Sequence, residues 1–285
     1  MLTLLEHVQC SAVSDTMEYH ACSTLGSPAA PIMHQHDCYE ICLIRYGEFS
    51  IISKDICCRQ LGPCLVIYNQ NCPHAQFDNR KTAYERFCIQ LMPTLLPIVP
   101  ELYQDFSCRI TKSAIVIPLS ETRMDWLYLI CFRMLSVLQE ENSTEMDNSF
   151  LIPLQCLLME LNSILQMETE YPVHRNVYIL EAMTYIRAHL TEKISIQDIA
   201  AYLHIGKTKL CTDFQNFASM SVHQYIIGER LSRAQQYLQK EYSLDEIALL
   251  CGFGTTSHFI YTFQKYFSIS PTQFRMAHNK QRQQQ

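Results

Sequence analysis

Residues 251–271 read CGFGTTSHFIYTFQKYFSISP, with six aromatic side chains in twenty-one positions and a single formal charge at Lys265. Helical periodicity sorts them. With Phe259, Phe263 and Phe267 on one side, a step of about 100° per residue turns Ser257, Ile260, Tyr261 and Gln264 to the other. One face can close a core, and the opposite face is mostly polar and uncharged. The pattern occurs twice. Ser195–Tyr225, SIQDIAAYLHIGKTKLCTDFQNFASMSVHQY, lines up with Ser243–Phe274, SLDEIALLCGFGTTSHFIYTFQKYFSISPTQF, at an offset of 48 from Ser195 to Ser243 and of 49 from Phe214 to Phe263. One residue is inserted in the second turn, and the duplication is the strongest organising feature of the chain.

Each copy opens on a capping box, Ser195 with Asp198 and Ser243 with Glu246, in which the hydroxyl accepts from the third amide and the carboxylate reaches back to the cap. A short helix follows in which Ala200 or Ala248 lets a second helix approach. Then come a turn with Gly206, or with Gly252 and Gly254, and a second helix anchored by Leu210, Phe214 and Phe217, or by Phe259, Phe263 and Phe267. This is helix-turn-helix grammar. The outward face of the first copy carries Thr208, Cys211, Thr212 and Gln215, with Lys207 and Lys209 at the helix start. That of the second carries Thr255, Thr256, Ser257, Ile260, Tyr261 and Gln264. Hydroxyl, amide and methyl groups suit base edges, whereas lysines at a helix N-terminus suit phosphates, so these residues are expected to bind DNA.

Two such units joined by one long helix, Ser221 to about Lys240, resemble the AraC/XylS family of bacterial transcription regulators over roughly Val177 to His278. The carrying residues are ISIQDIA, Leu210-x-x-x-Phe214, Tyr225, ERLSRAQQYL, SLDEIALLCGFG, Phe259-x-x-x-Phe263-Gln264-Lys265 and ISPTQFR, which ends at Arg275. Three features, each in both repeats, depart from the family pattern. Ser219 and Ser268 stand where glycine is usual at the helix ends, which asks a non-glycine residue to take the left-handed cap. Gly206 and Gly254 replace the usual Ser or Asp opening each recognition helix, a weaker N-cap. Thr212 and Tyr261 stand where an outward arginine is frequent. The resemblance implies a cytoplasmic, sequence-specific DNA-binding regulator acting as an effector-responsive activator. Its implied partners are a double-stranded DNA operator, a small-molecule effector, RNA polymerase and a second copy of the chain, with no membrane and no cofactor.

The region before residue 177 differs in kind. It holds 10 Lys+Arg against 20 Asp+Glu in residues 1–172, while 173–285 hold 12 against 8, so only the second part favours a polyanion. EICLIRYG, EFSIIS, PCLVIYN and YERFCIQL are short, β-branched or aromatic runs punctuated by Gly, Pro and Asn, as in a sandwich or barrel. RMDWLYLICFRMLSVLQEE and FLIPLQCLLMELNSILQME then show helical spacing and more apolar surface than one covered face needs, which marks a hairpin for dimerisation or for covering the β-domain. The expected organisation is a sensing domain over 1–118, a helical hairpin over 119–167, a linker over 168–176 and the duplicated domain over 177–285. The fold class is accordingly multidomain α and β, with a cupin-like barrel first and an all-α domain last.

Within HQHDCYEICLIRYG, residues 34–47, His34-x-His36-x-x-x-Glu40 followed by Gly47 resembles the first cupin motif, and NCPHAQFDN supplies part of the second through His74. Three imidazoles and a carboxylate can hold a divalent ion, so His34, His36, Glu40 and His74 are the alternative metal set. In the resembled family such segments accompany a metal-free barrel, and the expectation is therefore no metal but an effector pocket lined by His34, His36, Tyr39, Glu40, Arg45, Tyr68, His74 and Arg86. Fourteen cysteines without a CxxC pair or a secretory signal read as buried hydrophobes, with the adjacent Cys57 and Cys58 as the place to look for thiol chemistry. The chain contains no G-x-S-x-G, P-loop or G-x-G-x-x-G pattern, and a metal-dependent cupin enzyme or a metal or redox sensor fused to a DNA-binding domain is the competing reading.

Overall fold

A computed structural model describes residues 10–13, 17–24, 33–78, 84–93, 98–138, 148–167, 177–218 and 220–276. The chain separates into two compact units, one of Met1–Ala29 with His36–Arg175 and one of Ala30–Gln35 with Asn176–Gln285. The first is mixed α and β, and the second is helical.

In the first unit β1 (Cys10–Val13), β2 (Met17–Thr24), β3 (Tyr39–Tyr46), β4 (Glu48–Ile52), β5 (Cys57–Leu61), β6 (Cys64–Tyr68), β7 (Ala75–Asp78), β8 (Tyr84–Leu91) and β9 (Ala114–Pro118) form two sheets. Six strands run in the order β1-β2-β8-β3-β6-β9 and three in the order β5-β4-β7. Four strands coincide with the alternating runs read from sequence. Among the described residues the two ladders stay separate, so the expected closed barrel is corrected to two facing sheets. At the first crossing between them, from β3 to β4, β3 slips register against β8 between Ile44 and Tyr46 and Gly47 takes φ +100°. A bulge bends the strand there, and only glycine adopts that φ without strain.

The pleat of β3 divides the core. Tyr39, Ile41 and Leu43 pack with Phe87 and Ile89 of β8 against the helices α1 (Pro100–Arg109), α2 (Glu121–Leu138) and α3 (Asn148–Met167). Cys42 and Ile44 turn the other way and meet Phe49, Ile51 and Cys58 of the small sheet. Successive side chains on a strand must alternate in this way. The α3 helix is long and apolar enough to cross a membrane by length and composition. Its Phe150, Leu154, Leu157, Leu158 and Leu161 are nevertheless buried in the core of this unit, as in the inner helix of a layered fold.

In the second unit α4 (Val177–Ala188), α5 (Ile196–Tyr202) and α6 (Lys207–Ala218) precede α7 (Val222–Leu238), which leads to α8 (Leu244–Leu250) and α9 (Thr256–Phe267). From α7, Ile227, Leu231, Ala234 and Leu238 join a core with Ile247, Ala248, Phe253, Phe259 and Phe263. The rings of Phe263 lie 5.8 Å from Phe259, 4.5 Å from Phe267 and 5.7 Å from Phe274. Gly228 of α7 receives Met33, whose Cγ would lie 3.1 Å from an added Cβ, and Gln236 Nε2 donates to Gln35 Oε1 at 2.8 Å.

Truncating Phe263 empties the centre of this aromatic cluster. Phe263→Ala should cost about 3–5 kcal/mol, read as a fall in the urea midpoint of the helical unit by circular dichroism. An unchanged midpoint would contradict the packing described for α9.

Candidate nucleic-acid interface and interior cluster

The two helical repeats build the same turn from different residues. Asp198 N donates to Ser195 Oγ and Ser195 N to Asp198 Oδ2, at 3.2 and 3.0 Å, and the Ser243–Glu246 box repeats this at 3.2 and 2.8 Å. At the far end Ile205 N donates to Ala200 O at 3.0 Å, and Phe253 N to Ala248 O at 2.8 Å. The residue before each donor has a positive φ, +53° at His204 and +78° at Gly252. At Gly252 a Cβ would come within 2.0 Å of the Leu190 carbonyl oxygen, which restricts the position to glycine.

The inserted residue finds its role after this turn. Phe259 N donates to Thr255 O just as Leu210 N donates to Gly206 O, so Thr255, not Gly254, caps α9. Its hydroxyl accepts from His258 N at 3.1 Å. The weak glycine cap expected for the second recognition helix is thereby corrected, since the chain lengthens by one residue and gains a hydroxyl cap. At the other end Ser268 takes φ +60°, the left-handed conformation expected of a non-glycine residue there.

The faces left over are polar. Leu210, Phe214 and Ala218 of α6 and Phe259, Thr262 and Phe263 of α9 are buried. Lys207, Thr208, Lys209, Thr212 and Gln215 are exposed, as are Thr255, Ser257, Tyr261 and Gln264. Cys211 and Thr256 are half-buried, and Thr256 donates to Asp245 of the preceding helix. Ile260 is turned partly inward, packed against the aromatic core. Lys209 Nζ is held 2.7 Å from Asp213 Oδ2, one helical turn on, which raises its pKa. Sequence inspection gave Arg230 no role and named Arg275 only as the end of the family signature. Arg230 donates to the Leu190 and Glu192 carbonyls and Arg275 to those of Leu238 and Tyr242, tying down chain ends after α4 and α7.

In the first unit the pocket residues read from sequence divide between faces. Glu40, Tyr68, His74 and Arg86 meet between the sheets. His74 Nε2 lies 3.2 Å and His36 Nε2 3.0 Å from the same oxygen, Glu40 Oε2. Tyr39 packs edge-on to Phe106 at 5.3 Å on the helical side. Arg45 also faces the helices, 2.6 Å from Asp125 and 5.3 Å from the Tyr128 ring, beside a surface cavity of about 260 Å³. His34 lies in the segment that belongs with the helical unit. Placing Tyr39 and Arg45 beside Glu40 thus ran against the pleat.

The interior cluster also includes residues not singled out from sequence. Tyr68 OH donates to Gln76 Oε1 at 3.0 Å, and Gln76 Nε2 to Tyr84 OH at 2.6 Å. The thiols of Cys42 and Cys88, directly paired across β3 and β8, lie 3.5 and 3.3 Å from Glu40 Oε1. Burial lowers the Arg86 guanidinium, but Tyr84, Cys42, Cys88 and Glu40 around it raise its pKa well above the ordinary value. Every second residue of β8 from Tyr84 to Gln90 supplies this cluster, a period-2 signal that was available in the sequence. Cys57 and Cys58 are both buried, and burial pushes the Cys57 thiol up to about 12, so it is not a reactive thiolate.

Residues 199–277 match a family model described as a helix-turn-helix domain. The probable transcriptional regulator LumQ of Photobacterium leiognathi is 26% identical over 149 residues, 50% of this chain and 58% of that protein. The xylose operon regulatory protein of Haemophilus influenzae is 30% identical over 109 residues, 38% of this chain and 28% of that protein. The chain therefore spans less than two thirds of the length of these relatives. A solved structure of a transcriptional regulator from Chromobacterium violaceum, described as of the AraC-type DNA-binding domain-containing proteins, is 31% identical. The match covers 35% of this chain and 91% of that one, with a TM-score of 0.34.

The Ser195 hydroxyl and then its amide depress the Asp198 carboxyl, and the Ser243 amide and then its hydroxyl depress that of Glu246. A carboxyl depressed in the folded state adds stability above its unfolded pKa, and that stability is lost as pH falls through the folded value. Glu246→Gln should therefore flatten the acid limb of the helical unit's stability profile, measured by urea melts from neutral pH downward. An acid limb as steep as in the parent would contradict the assignment.

Proposed function

We propose, from the premise that the chain carries the helix-turn-helix domain of the AraC/XylS family of transcriptional regulators, that it binds a DNA operator in a sequence-specific way and acts as an effector-responsive activator. The observation that carries this reading is the pair of capped recognition helices, α6 and α9, each with a buried apolar side and an exposed face of hydroxyl and amide groups. In this reading the units enter successive major-groove segments about one helical turn apart. Thr208, Thr212, Gln215, Ser257, Tyr261 and Gln264 meet base edges, and Lys207 and Lys209 meet phosphate.

In this reading the domains have the roles expected from the sequence. Residues 1–118 form the sensing part, 119–167 the hairpin, 168–176 the linker and 177–285 the DNA-binding part, working in the cytoplasm with RNA polymerase as the downstream partner. The effector reaches the interior cluster of His36, Glu40, Tyr68, His74 and Arg86. Trp126 and Leu129 on α2 and Ile152 and Met159 on α3 are each at least half exposed, an apolar surface that supports dimerisation through the hairpin. The relatives named above are regulators, which supports a regulatory role over an enzymatic one.

Genome-wide recovery of DNA fragments bound by the purified chain at fixed salt should enrich a motif of two short elements about one turn apart. Thr212→Ala and Tyr261→Ala should leave melting unchanged and alter preference at single operator positions by about 1–3 kcal/mol per lost contact. Binding unchanged at every position, or no enriched motif, would refute the reading.

A further inference from the structure

We propose that Cys42 and Cys88 are a site of reversible oxidative modification, at which hydrogen peroxide closes a disulfide between β3 and β8 in the interior of the β-unit. The site does not require that the chain bind DNA. Three observations carry it.

The first is register. Cys42 and Cys88 stand directly opposite each other in the antiparallel ladder of β3 and β8. Opposed residues in such a ladder have Cα atoms about 4.5 or 5.5 Å apart, according to the type of pair. Both values fall inside the roughly 4.4–6.8 Å that a disulfide spans. The two side chains turn into the same core between the sheets, and their sulfurs lie within 4.8 Å of one another. Cys57 and Cys58, although adjacent in sequence, are successive residues of one strand, and the pleat sends such neighbours to opposite faces.

The second is a shared proton acceptor. Cys42 Sγ donates to Glu40 Oε1 at 3.5 Å, and Cys88 Sγ donates to the same oxygen at 3.3 Å. The thiolate is the nucleophile in thiol chemistry. A hydrogen bond with Cys42 and then burial raise the Cys88 thiol well above its ordinary pKa, so its proton must leave as the new bond forms. One carboxylate oxygen is in reach of either proton.

The third is enclosure. Cys42 is 0% and Cys88 4% exposed, which favours a small neutral oxidant and makes each thiol the nearest thiol partner of the other once oxidised. A neighbouring thiol converts a sulfenic acid to a disulfide before it is oxidised further.

In the first step one sulfur attacks peroxide. The O–O bond breaks, an S–O bond forms, and the thiol proton passes by way of Glu40 to the departing hydroxide as water. In the second step the other sulfur attacks the sulfenic sulfur. The S–S bond forms, the S–O bond breaks, and hydroxide leaves with the second thiol proton as water. The two cysteines lose two electrons, peroxide gains them, and Glu40 ends as it began. Opposed residues have Cβ atoms about 4.5–5.5 Å apart, whereas a disulfide holds them at about 3.8 Å, so the closed bond is strained and more easily reduced. That strain is what makes the modification reversible.

The test uses the full chain, reduced, freed of reductant, treated with an equimolar amount of hydrogen peroxide and quenched with an alkylating agent. The expected result is two fewer free thiols than the fourteen of the sequence, and a digest in which the Cys42 and Cys88 peptides are joined until a dithiol reductant is added. The urea midpoint of the β-unit, followed by the fluorescence of Trp126, should rise on oxidation and return on reduction. Cys42→Ser and Cys88→Ser should each abolish the joined pair while keeping a hydroxyl for Glu40. Cys108→Ser, which removes an exposed thiol, should leave it unchanged. Circular dichroism shows whether each variant folds, and the digest of the parent decides the matter even where one does not. No joined pair under native conditions, a pair formed only in urea, or a link between other cysteines in its place would overturn the site. Each of these outcomes is independent of whether the chain binds DNA.

Discussion

The helical unit depends on a turn closed by one hydrogen bond, Phe253 N to Ala248 O, at a place where no side chain fits. Gly252 must take φ +78° so that the chain can reverse beneath α8, and the Leu190 carbonyl occupies the space where its Cβ would be. That contact ties the second repeat to the segment after α4, where the guanidinium of Arg230 holds the same carbonyl. A recognition helix reads through the angle at which it is presented, and here that angle rests on backbone rather than on flexible side chains. The first repeat reaches the same turn with His204, which accepts the left-handed strain because the turn hydrogen bond and the surrounding core fix it.

The β-unit follows an equally simple rule with a different outcome. Alternation along β3 sends an apolar residue toward the helices and its neighbour toward the small sheet, so the unit has a greasy outer layer and a mixed inner one. Glu40, Tyr68, His74, Gln76, Tyr84, Arg86 and Gln90 would be costly inside a purely structural sandwich, because a buried polar group loses more from desolvation than an apolar replacement does. Their mutual hydrogen bonds offset that cost only as a set. A fold that needed the space merely filled would be served by Leu and Val, whereas this polar set is held by hydrogen bonds among its own members.

Legibility from sequence followed the range of the forces involved. Capping boxes, the repeat and the aromatic anchors are local, and all were readable; so were β3, β4, β6 and β8, whose alternation is bounded by turn residues. The strand β5, CCRQL, has little local strand character and forms through pairing with β4, whereas β9, AIVIP, is a β-branched run whose signal is local but short and bounded by Pro118. Gly254 was read as the cap of the second recognition helix because the one-residue insertion could be placed on either side of it. Only the backbone bond from Phe259 to Thr255 decides. Tyr39 and Arg45 were grouped with Glu40 by polarity, while the pleat sorts by parity.

The charge on the exposed faces of α6 and α9 bears on what they can attract. Lys207 and Lys209 are the only Lys or Arg residues assigned to them, and Lys209 is engaged by Asp213 within its own helix. Fewer phosphate contacts mean less counterion release and weaker binding per unit. Neutral hydroxyl and amide readers add selectivity at single base pairs but little attraction at a distance. On the DNA-binding reading proposed above, two such faces joined in one chain bind more tightly than either alone, because a tethered second contact is made at high effective concentration.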